Sequence, residues 1–279
     1  IYADEPLEET FHRLARFGYQ GVELKGEPEQ YDAGRVRSLA EQYELEITSV
    51  LGWALASIPG RDLASPNAAS REQAVEYASR CVDLAAAVGA PIVVVIPAAA
   101  GRTAPAGGPH DPRSWREGYS SEWGHAVDSV KQAAAYAREY DITLALEPIN
   151  RYETFLVKNV EEGLRFIEEV GAGNLKLHLD TFHMNLEEPN PARAVRKAGD
   201  SLVNMHLSDS NRQAPGKGHF DFESLFAALQ AIEYRGALAL EPVPPGSDPI
   251  LATQMPEHEP LRDQYAAEGI RYLKALEAA

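Results

Sequence analysis

Cysteine is almost absent from the sequence, which contains one, Cys81, among 279 residues. One cysteine cannot build an internal disulfide framework, and this is typical of proteins in a reducing compartment. We therefore expect a cytoplasmic protein in which Cys81 is a small, buried apolar side chain. A secretory signal pattern is also missing, as is any apolar run of about 18 residues or more, so we expect no membrane span.

Basic residues are the second scarcity, with 26 Lys and Arg against 42 Asp and Glu. The resulting net charge of −16 at pH 7 argues against nucleic acid or an anionic membrane as the main partner, because both require clustered basic side chains. An acidic protein attracts cations instead, so a divalent metal would be drawn into any acidic cleft.

Short apolar runs alternate with amphipathic segments along the whole chain. A short run of this kind is typical of a strand buried on both faces in a parallel sheet. The runs predict seven strands, at 21–24, 45–51, 91–96, 142–147, 175–180, 202–207 and 237–241. The amphipathic segments predict helices at 7–17, 32–43, 69–88, 121–140, 160–170, 191–198, 222–232 and 261–276, the third with Gly89 as its C-cap.

An eighth strand is needed before the first helix, and Ile1–Ala3 alone remain to form it, so we expect the first strand to be short or truncated. Eight β/α units indicate an α/β fold, a (β/α)8 TIM barrel that forms one domain over residues 1–279. A doubly wound sheet is the alternative, but the chain lacks a glycine-rich phosphate loop. The Gly- and Pro-rich loop at 98–112 is expected to be either a lid over the site or a solvated insertion.

One five-residue segment occurs twice, because Leu-Ala-Leu-Glu-Pro at 144–148 returns at 238–242. Proline cannot continue such a strand in its middle, so the glutamates are predicted at the carboxyl ends of the fifth and eighth strands. Asp180 ends the sixth strand and His206 lies on the seventh. Four consecutive strands therefore deliver polar side chains to the rim where TIM barrels carry their active sites.

Three carboxylates close together repel one another unless a cation holds them. Three oxygen donors and one imidazole, without a thiolate, suit Mn²⁺, Mg²⁺ or Co²⁺ better than a structural zinc. We therefore expect one divalent metal ion bound by Glu147, Asp180, His206 and Glu241. His178 shares a strand face with Asp180 and is expected to point into the barrel as a layer residue.

Arg212, in the loop after the seventh strand, is expected either to bind a hydroxyl or carboxylate of the substrate or to pair with Asp209. The histidines His110, His125 and His219 have no comparable setting, and we expect them at the surface.

Several segments together resemble the xylose-isomerase-like TIM-barrel superfamily, and within it the ketose 3-epimerases of the D-tagatose/D-allulose type. They are Glu147-Pro-Ile-Asn-Arg-Tyr-Glu153, His178-Leu-Asp-Thr-Phe-His-Met-Asn185, His206 with Asn211-Arg212 and Pro215-Gly-Lys-Gly218, and Glu241-Pro242. The close likeness covers about residues 142–245, with Leu-Asp-Thr-Phe-His-Met-Asn as its most specific part. The amino-terminal half is similar in architecture, and it offers Trp53, Trp115 and the 98–112 loop for the far end of a sugar.

The resemblance implies an isomerase that inverts C3 of a ketose. It implies one divalent metal, Mn²⁺ first with Co²⁺ or Mg²⁺ as alternatives, held by Glu147, Asp180, His206 and Glu241. Glu147 and Glu241 would also be paired acid/base catalysts, one taking the C3 proton and the other returning a proton to the opposite face, through an ene-diolate. The resemblance further implies a homodimer or homotetramer, and contacts to the O1–O3 region of the sugar from Glu153, His183 and Arg212.

Related activities remain alternatives. The same groups could move a proton between C1 and C2, so an aldose–ketose isomerase, a hydroxypyruvate or inosose isomerase, and a keto-sugar-acid epimerase stay open. An endonuclease of the same superfamily would need histidine ligands after the second and third strands, and segments 24–31 and 51–62 contain no histidine. A catalytically silent sugar-binding barrel would be expected to lack one of the two glutamates, and both are present.

Overall fold

Seven parallel strands form a nearly closed barrel in the computed structural model, which describes residues 2, 5–107, 111–246 and 249–277. Strands that follow one another along the chain are hydrogen-bonded neighbours in the sheet. They are β1 (Gly21–Lys25), β2 (Glu46–Leu51), β3 (Ile92–Val95), β4 (Thr143–Leu146), β5 (Leu175–Asp180), β6 (Leu202–Leu207) and β7 (Ala237–Leu240). The predicted α/β barrel is confirmed, and β4 to β7 are the strands predicted as fifth to eighth.

The strand expected at residues 1–3 falls mostly outside the described residues. Tyr2, which is described, does not lie in a strand. It is nevertheless held in place, because its hydroxyl donates to Asp263 Oδ1 at 3.0 Å and the Arg13 guanidinium lies 4.6 Å from its ring centre. β1 and β7 are consequently the two edges of the described sheet.

Ten α-helices accompany the strands in the described residues, and every predicted helix is among them. They are α1 (Leu7–Phe17), α2 (Ala33–Tyr43), α3 (Ala68–Val88), α4 (Pro112–Arg138), α5 (Val160–Val170), α6 (Thr181–Glu187), α7 (Pro191–Ala198), α8 (Phe222–Ala231), α9 (Pro249–Gln254) and α10 (Glu259–Glu277). Gly89 ends α3 with a φ of 81°, which confirms the predicted C-cap. None of these helices combines the length and apolarity needed to cross a membrane.

Helix α4 begins at Pro112, so the prediction that it starts near Ser121 was wrong. The Asp111 side chain accepts from the backbone N–H groups of Arg113 and Ser114, and proline is favoured at the first helical position. This cap starts the helix where the apolar pattern is still weak. The short helices α6 and α9 were not predicted, because neither is long enough to show a helical period.

The loop after β3 is bound to the barrel along its described part, residues 98–107. Ala100 and Arg102 form isolated bridges to Leu55 and Thr154. The Arg102 guanidinium also pairs with Asp62 and with the buried Glu122, both at 2.5 Å. This part of the loop is anchored but still largely exposed, at Gly101, Thr103, Ala106 and Gly107, so both expectations for the loop stay predictions. His110 lies outside the described residues.

The faces of the strands explain why the site lies inside the barrel. Leu177 and Leu179 on β5 belong to the core between the sheet and the helices, and burial of each stabilises the fold by about 2 kcal/mol. A Cβ at Gly163 of α5 would lie 2.8 Å from Leu177 Cδ2, so glycine permits this helix to approach the sheet. His178 and Asp180 alternate with these leucines and point into the barrel.

Candidate active site

The two repeated glutamates occupy equivalent positions at the barrel rim. The Glu147 N–H donates to Val95 O at 3.0 Å, and the Glu241 N–H donates to Leu207 O at 3.1 Å. Each bond extends the ladder with the preceding strand by one residue. Each glutamate therefore stands directly at the carboxyl end of its strand, β4 or β7, as the sequence predicted.

The four predicted metal ligands come together at this rim. Ligand atoms of Asp180, His206 and Glu241 all lie within 4.8 Å of one another. Glu147 belongs to two further groups whose ligand atoms lie within the same distance of one another. One group contains Asp180 and His183, and the other contains His178 and His206. The site thus offers the predicted donors and two additional imidazoles.

Unpartnered polar atoms in this cluster fit a bound cation. Asp180 Oδ2 and His206 Nδ1 are buried and have no hydrogen-bond partner in the described part of the chain. Buried polar atoms normally form hydrogen bonds, so these two atoms are available to a cation. Their near neighbours are charged: Asp180 Oδ2 lies 3.3 Å from Arg212 Nη1, and His206 Nδ1 lies 3.4 Å from Glu241 Oε2. Carboxylate oxygens and one imidazole nitrogen are suitable ligands for Mn²⁺ or Mg²⁺.

Arg212 neutralises two of the acids. Its Nη2 donates to Glu241 Oε2 at 2.8 Å, and its Nη1 lies 3.3 Å from Asp180 Oδ2. The alternative expectation of a pair with Asp209 was wrong, because the Asp209 carboxylate accepts from backbone N–H groups of its own loop. Arg212 itself adopts a left-handed backbone, with a φ of 60°, which is uncommon outside glycine.

Asn150 links the two other predicted substrate contacts. Its Nδ2 lies 2.8 Å from both Glu153 Oε1 and His183 Nδ1. The orientation of the amide is fixed, because Tyr152 N donates to Asn150 Oδ1 at 3.0 Å. His183 therefore accepts at Nδ1 and carries its hydrogen on Nε2, which lies 3.6 Å from Asp180 Oδ2 and 3.8 Å from Glu147 Oε1. The sequence did not single out Asn150, although it lies inside the quoted Glu147–Glu153 segment.

Glu23 of β1 was also missed. Its Oε1 lies 2.7 Å from His206 Nε2, and its Oε2 accepts from Ser49 Oγ at 2.5 Å and Asn204 Nδ2 at 3.4 Å. Burial would lower the pKa of His206, but Glu23 and Glu241 outweigh it and raise this pKa well above its ordinary value. The feature of the sequence that could have indicated this residue is a single glutamate within a short apolar strand.

The electrostatic environment separates the two glutamates. Burial raises the pKa of Glu147 well above its ordinary value, and the neighbouring Glu241 and Asp180 raise it further. Burial also raises the pKa of Asp180 to about 7 despite the nearby Arg212. For Glu241, Arg212 and His206 outweigh the effect of burial and hold the pKa well below the usual range. Without a metal, the site thus favours a protonated Glu147 beside an ionised Glu241.

Two further histidines differ in environment. His178 is fully buried, its ring centre lies 4.1 Å from that of His206, and burial lowers its pKa well below the ordinary value. The prediction that it points into the barrel is confirmed. His219 is exposed as predicted. His125 is half-buried, and its Nδ1 has no hydrogen-bond partner among the described residues, so its surface assignment was wrong in part.

A cavity of about 970 Å³ opens onto the cluster and continues along the gap between β1 and β7. Its lining includes all three predicted substrate contacts, Glu153, His183 and Arg212. Trp53 lines the cavity too, whereas Trp115 stacks on Tyr119, 5.1 Å between ring centres. Of the side chains that the amino-terminal half was expected to contribute, Trp53 and, from the 98–112 loop, Ala100 line the cavity, and their contact with a sugar stays a prediction.

Comparison with known proteins identifies the family. A model of the xylose isomerase-like TIM barrel matches residues 11–276. The chain belongs to this family. The matched range includes the amino-terminal half, for which the sequence predicted a likeness in architecture.

Relatives within the xylose isomerase-like family are named as sugar epimerases. L-ribulose 3-epimerase of Methylomonas sp. (strain DH-1) is 35% identical over 229 residues, which cover 81% of this chain and 75% of that protein. D-psicose 3-epimerase of Enterocloster bolteae is 44% identical over 117 residues, 42% of this chain, and this match spans 39% of that protein's length. The crystal structure of D-allulose 3-epimerase from Methylomonas sp. with D-allulose has a TM-score of 0.81 at 30% identity, covering 96% of this chain and 90% of that one.

These relatives are epimerases, and so isomerases, which agrees with the enzyme class expected from the sequence.

Proposed function

We propose that this member of the xylose isomerase-like family is a divalent-metal-dependent ketose 3-epimerase. The observation that carries the proposal is a set of overlapping groups of metal-binding side chains: Asp180, His206 and Glu241 form one, and Glu147 shares a second with Asp180 and a third with His206. Both rim glutamates, Glu147 and Glu241, also line the cavity. The relatives named as 3-epimerases of D-allulose and L-ribulose support the choice of a ketose as substrate.

Glu147, Asp180, His206 and Glu241 would hold one divalent ion, Mn²⁺ in the first place and Co²⁺ or Mg²⁺ as alternatives. When bound, such an ion supplies Lewis-acid stabilisation of the negative charge that develops on the substrate oxygens. Asp180 Oδ2 and His206 Nδ1, which form no hydrogen bond among the described residues, support this assignment.

The two glutamates would exchange protons with C3 of the ketose. Glu147 follows β4 and Glu241 follows β7, so two strands of the barrel separate them. In the metal-free site the environment makes the two glutamates differ, with Glu241 ionised and Glu147 protonated. One glutamate removes the C3 proton from one face of the sugar, and the other delivers a proton to the opposite face. In the reverse direction the two roles are exchanged.

Three other side chains would orient the sugar. His183 presents an N–H donor from Nε2, and Arg212 presents its guanidinium beside Glu241. Glu153 presents a carboxylate that Asn150 holds in place. Together they offer donors and an acceptor for neighbouring hydroxyl groups, which fits the O1–O3 region of a ketose.

A substrate panel tests the proposal. D-allulose, D-tagatose, L-ribulose and hydroxypyruvate are incubated separately with the Mn²⁺-loaded protein, and the products are identified by NMR. We expect each accepted ketose to yield its C3 epimer, for example D-fructose from D-allulose, and chelation to abolish the reaction. Formation of an aldose without a C3 epimer would instead support the isomerase alternative. Activity that persists after complete metal removal would refute the metal site.

A further inference from the structure

We infer that Glu23 is a positioning residue that orients His206 for metal binding, an inference that rests on the proposed metal-dependent function. The contact joins β1 to β6 across the barrel, between residues 183 apart in the chain. The Glu23 Oε1 to His206 Nε2 distance of 2.7 Å is that of a strong, charge-assisted hydrogen bond.

This contact decides which ring nitrogen can bind a metal. An ionised carboxylate accepts hydrogen bonds and donates none, so His206 must carry a hydrogen on Nε2. In the neutral ring the lone pair is then on Nδ1. Nδ1 is the atom that faces Glu241, at 3.4 Å from its Oε2, and that has no hydrogen-bond partner among the described residues. A metal-binding histidine commonly donates its other N–H to a carboxylate in this way.

Glu23 is itself held by two further donors. Its Oε2 accepts from Ser49 Oγ at 2.5 Å and from Asn204 Nδ2 at 3.4 Å, and Asn204 Nδ2 also lies 3.4 Å from Ser49 Oγ. Ser49 and Asn204 are both fully buried inside the barrel. Ser49 is the register partner of Glu23 on β2, so the backbone pairing of the sheet fixes their relative position.

The network has the features of a site that holds a ligand group in place. A largely buried carboxylate is costly unless it is paired, and in the described residues the ion pair of Glu23 is with His206. The structure therefore assigns β1 and β2 a role in the metal site, although none of the four proposed ligands lies on them.

Titration calorimetry of the metal-stripped protein with Mn²⁺ tests this inference on Glu23→Ala and Glu23→Gln. We expect Glu23→Ala to weaken Mn²⁺ binding by about 10- to 100-fold. Glu23→Gln should lose less, because an amide oxygen can still accept from Nε2. Glu46→Gln is the matched control, since Glu46 lies exposed on β2 and should leave the affinity unchanged.

Kinetics provide the second readout. For Glu23→Ala, the Mn²⁺ concentration that gives half-maximal activity should rise by the same factor as the dissociation constant, and saturating Mn²⁺ should restore most of kcat. Thermal unfolding of the metal-free variants shows whether they fold, and if Glu23→Ala does not, Glu23→Gln decides. A folded variant that binds Mn²⁺ as tightly as the unaltered protein would overturn the role of Glu23. Failure of the unaltered protein to bind Mn²⁺ would instead overturn the proposed function.

Discussion

The guanidinium of Arg212 donates to Glu241 across 2.8 Å, and its other terminal nitrogen lies 3.3 Å from Asp180. One cation therefore holds two of the clustered acids. Arg212, together with His206, keeps the pKa of Glu241 well below its usual range, whereas burial raises that of Glu147. The difference between the two glutamates thus depends on a residue that is itself no metal ligand.

Replacing Arg212 should impair catalysis more than binding of the metal. We expect Arg212→Ala to lower kcat/KM by roughly 100-fold, because a buried donor to the reacting groups is lost and Glu241 ionises less readily. Arg212→Lys keeps the charge but loses the planar fork, so it should fall between Arg212→Ala and the unaltered protein. Steady-state kinetics measure both. Arg151→Ala is the control, because Arg151 pairs with Glu187 and is exposed; an equal loss in that variant would contradict the assignment.

Asn150 should control substrate affinity through the two side chains that it joins. Asn150→Asp places a second carboxylate against Glu153 and removes the donor to His183 Nδ1, so KM should rise by about 10-fold. The measurement is KM with Mn²⁺ held at saturation. Asn159→Asp is a matched control, since Asn159 caps α5 and aspartate caps equally well. Equal KM values for Asn150→Asp and the unaltered protein would show that the link has no role in binding.

Metal affinity should increase with pH. Burial raises the pKa of Asp180 to about 7 and that of Glu147 well above its ordinary value, so the metal-free site retains protons near neutrality. A metal ion must displace them, so binding should release protons and strengthen as pH rises from about 6 to 8. Calorimetry in two buffers of different ionisation enthalpy measures this release. Identical affinities over that pH range, with no proton release, would contradict the raised pKa values.

The same raised pKa values affect the stability of the metal-free protein. When an acid has a higher pKa in the folded state than in the unfolded state, its protonation stabilises the fold. This contribution is complete below the unfolded pKa, about 4 for aspartate, and is lost as pH rises through the folded pKa. For Asp180 the loss falls between about pH 4 and pH 7. Denaturant unfolding should therefore show that added Mn²⁺ stabilises the protein more at pH 8 than at pH 6. If Mn²⁺ stabilised the protein no more at pH 8 than at pH 6, the raised pKa of Asp180 would be contradicted.

Asp209 should stabilise the loop that carries Arg212. Its carboxylate accepts from the N–H groups of Ser210, Gly216 and Phe220, at 2.7, 2.8 and 3.0 Å. Asp209→Ala should lower the free energy of unfolding by about 1–3 kcal/mol and raise KM as well. Asp221→Ala removes the exposed cap of α8, so it should cost about 1 kcal/mol and leave KM unchanged. An unchanged KM in Asp209→Ala would show that this loop does not influence substrate binding.

Asp209 should also give the protein an acid-sensitive component of stability. Its backbone donors outweigh burial and lower its pKa below the ordinary value. The stabilisation is therefore present above the unfolded pKa of about 3.9 and is lost as pH falls through the lower folded value. The difference in unfolding free energy between Asp209→Asn and the unaltered protein should shrink below about pH 4. If the difference in unfolding free energy stayed constant below about pH 4, the lowered pKa of Asp209 would be contradicted.

The barrel could be predicted because its signals are local. The apolar run that ends in Val93, Val94 and Val95 forms β3, and the glycine after α3 ends that helix. The four rim residues followed from the topology, since parallel strands carry their carboxyl ends to one edge. The start of α4 was missed because the Asp111 cap, and not an apolar period, determines it.

The supporting contacts could not be predicted for a different reason. Glu23 and His206 lie 183 residues apart, and nothing in either segment indicates that they touch. A lone glutamate in a short strand is ordinarily solvated. The burial of Glu23 follows from the position of β1 opposite β6, which only the folded structure shows. The Arg212 pair with Glu241 likewise depends on the left-handed turn at Arg212, which the sequence does not signal.

Hydrogen–deuterium exchange at C3 of D-allulose and D-fructose in D₂O, followed by NMR, tests the two-glutamate mechanism most directly. The unaltered protein should interconvert the sugars and place deuterium at C3 of both. Glu147→Gln and Glu241→Gln, with their Mn²⁺ content verified, should both fail to interconvert the sugars, and each should exchange C3 of one epimer at most. Full interconversion by both variants, or deuterium at C1 in place of C3, would contradict the mechanism.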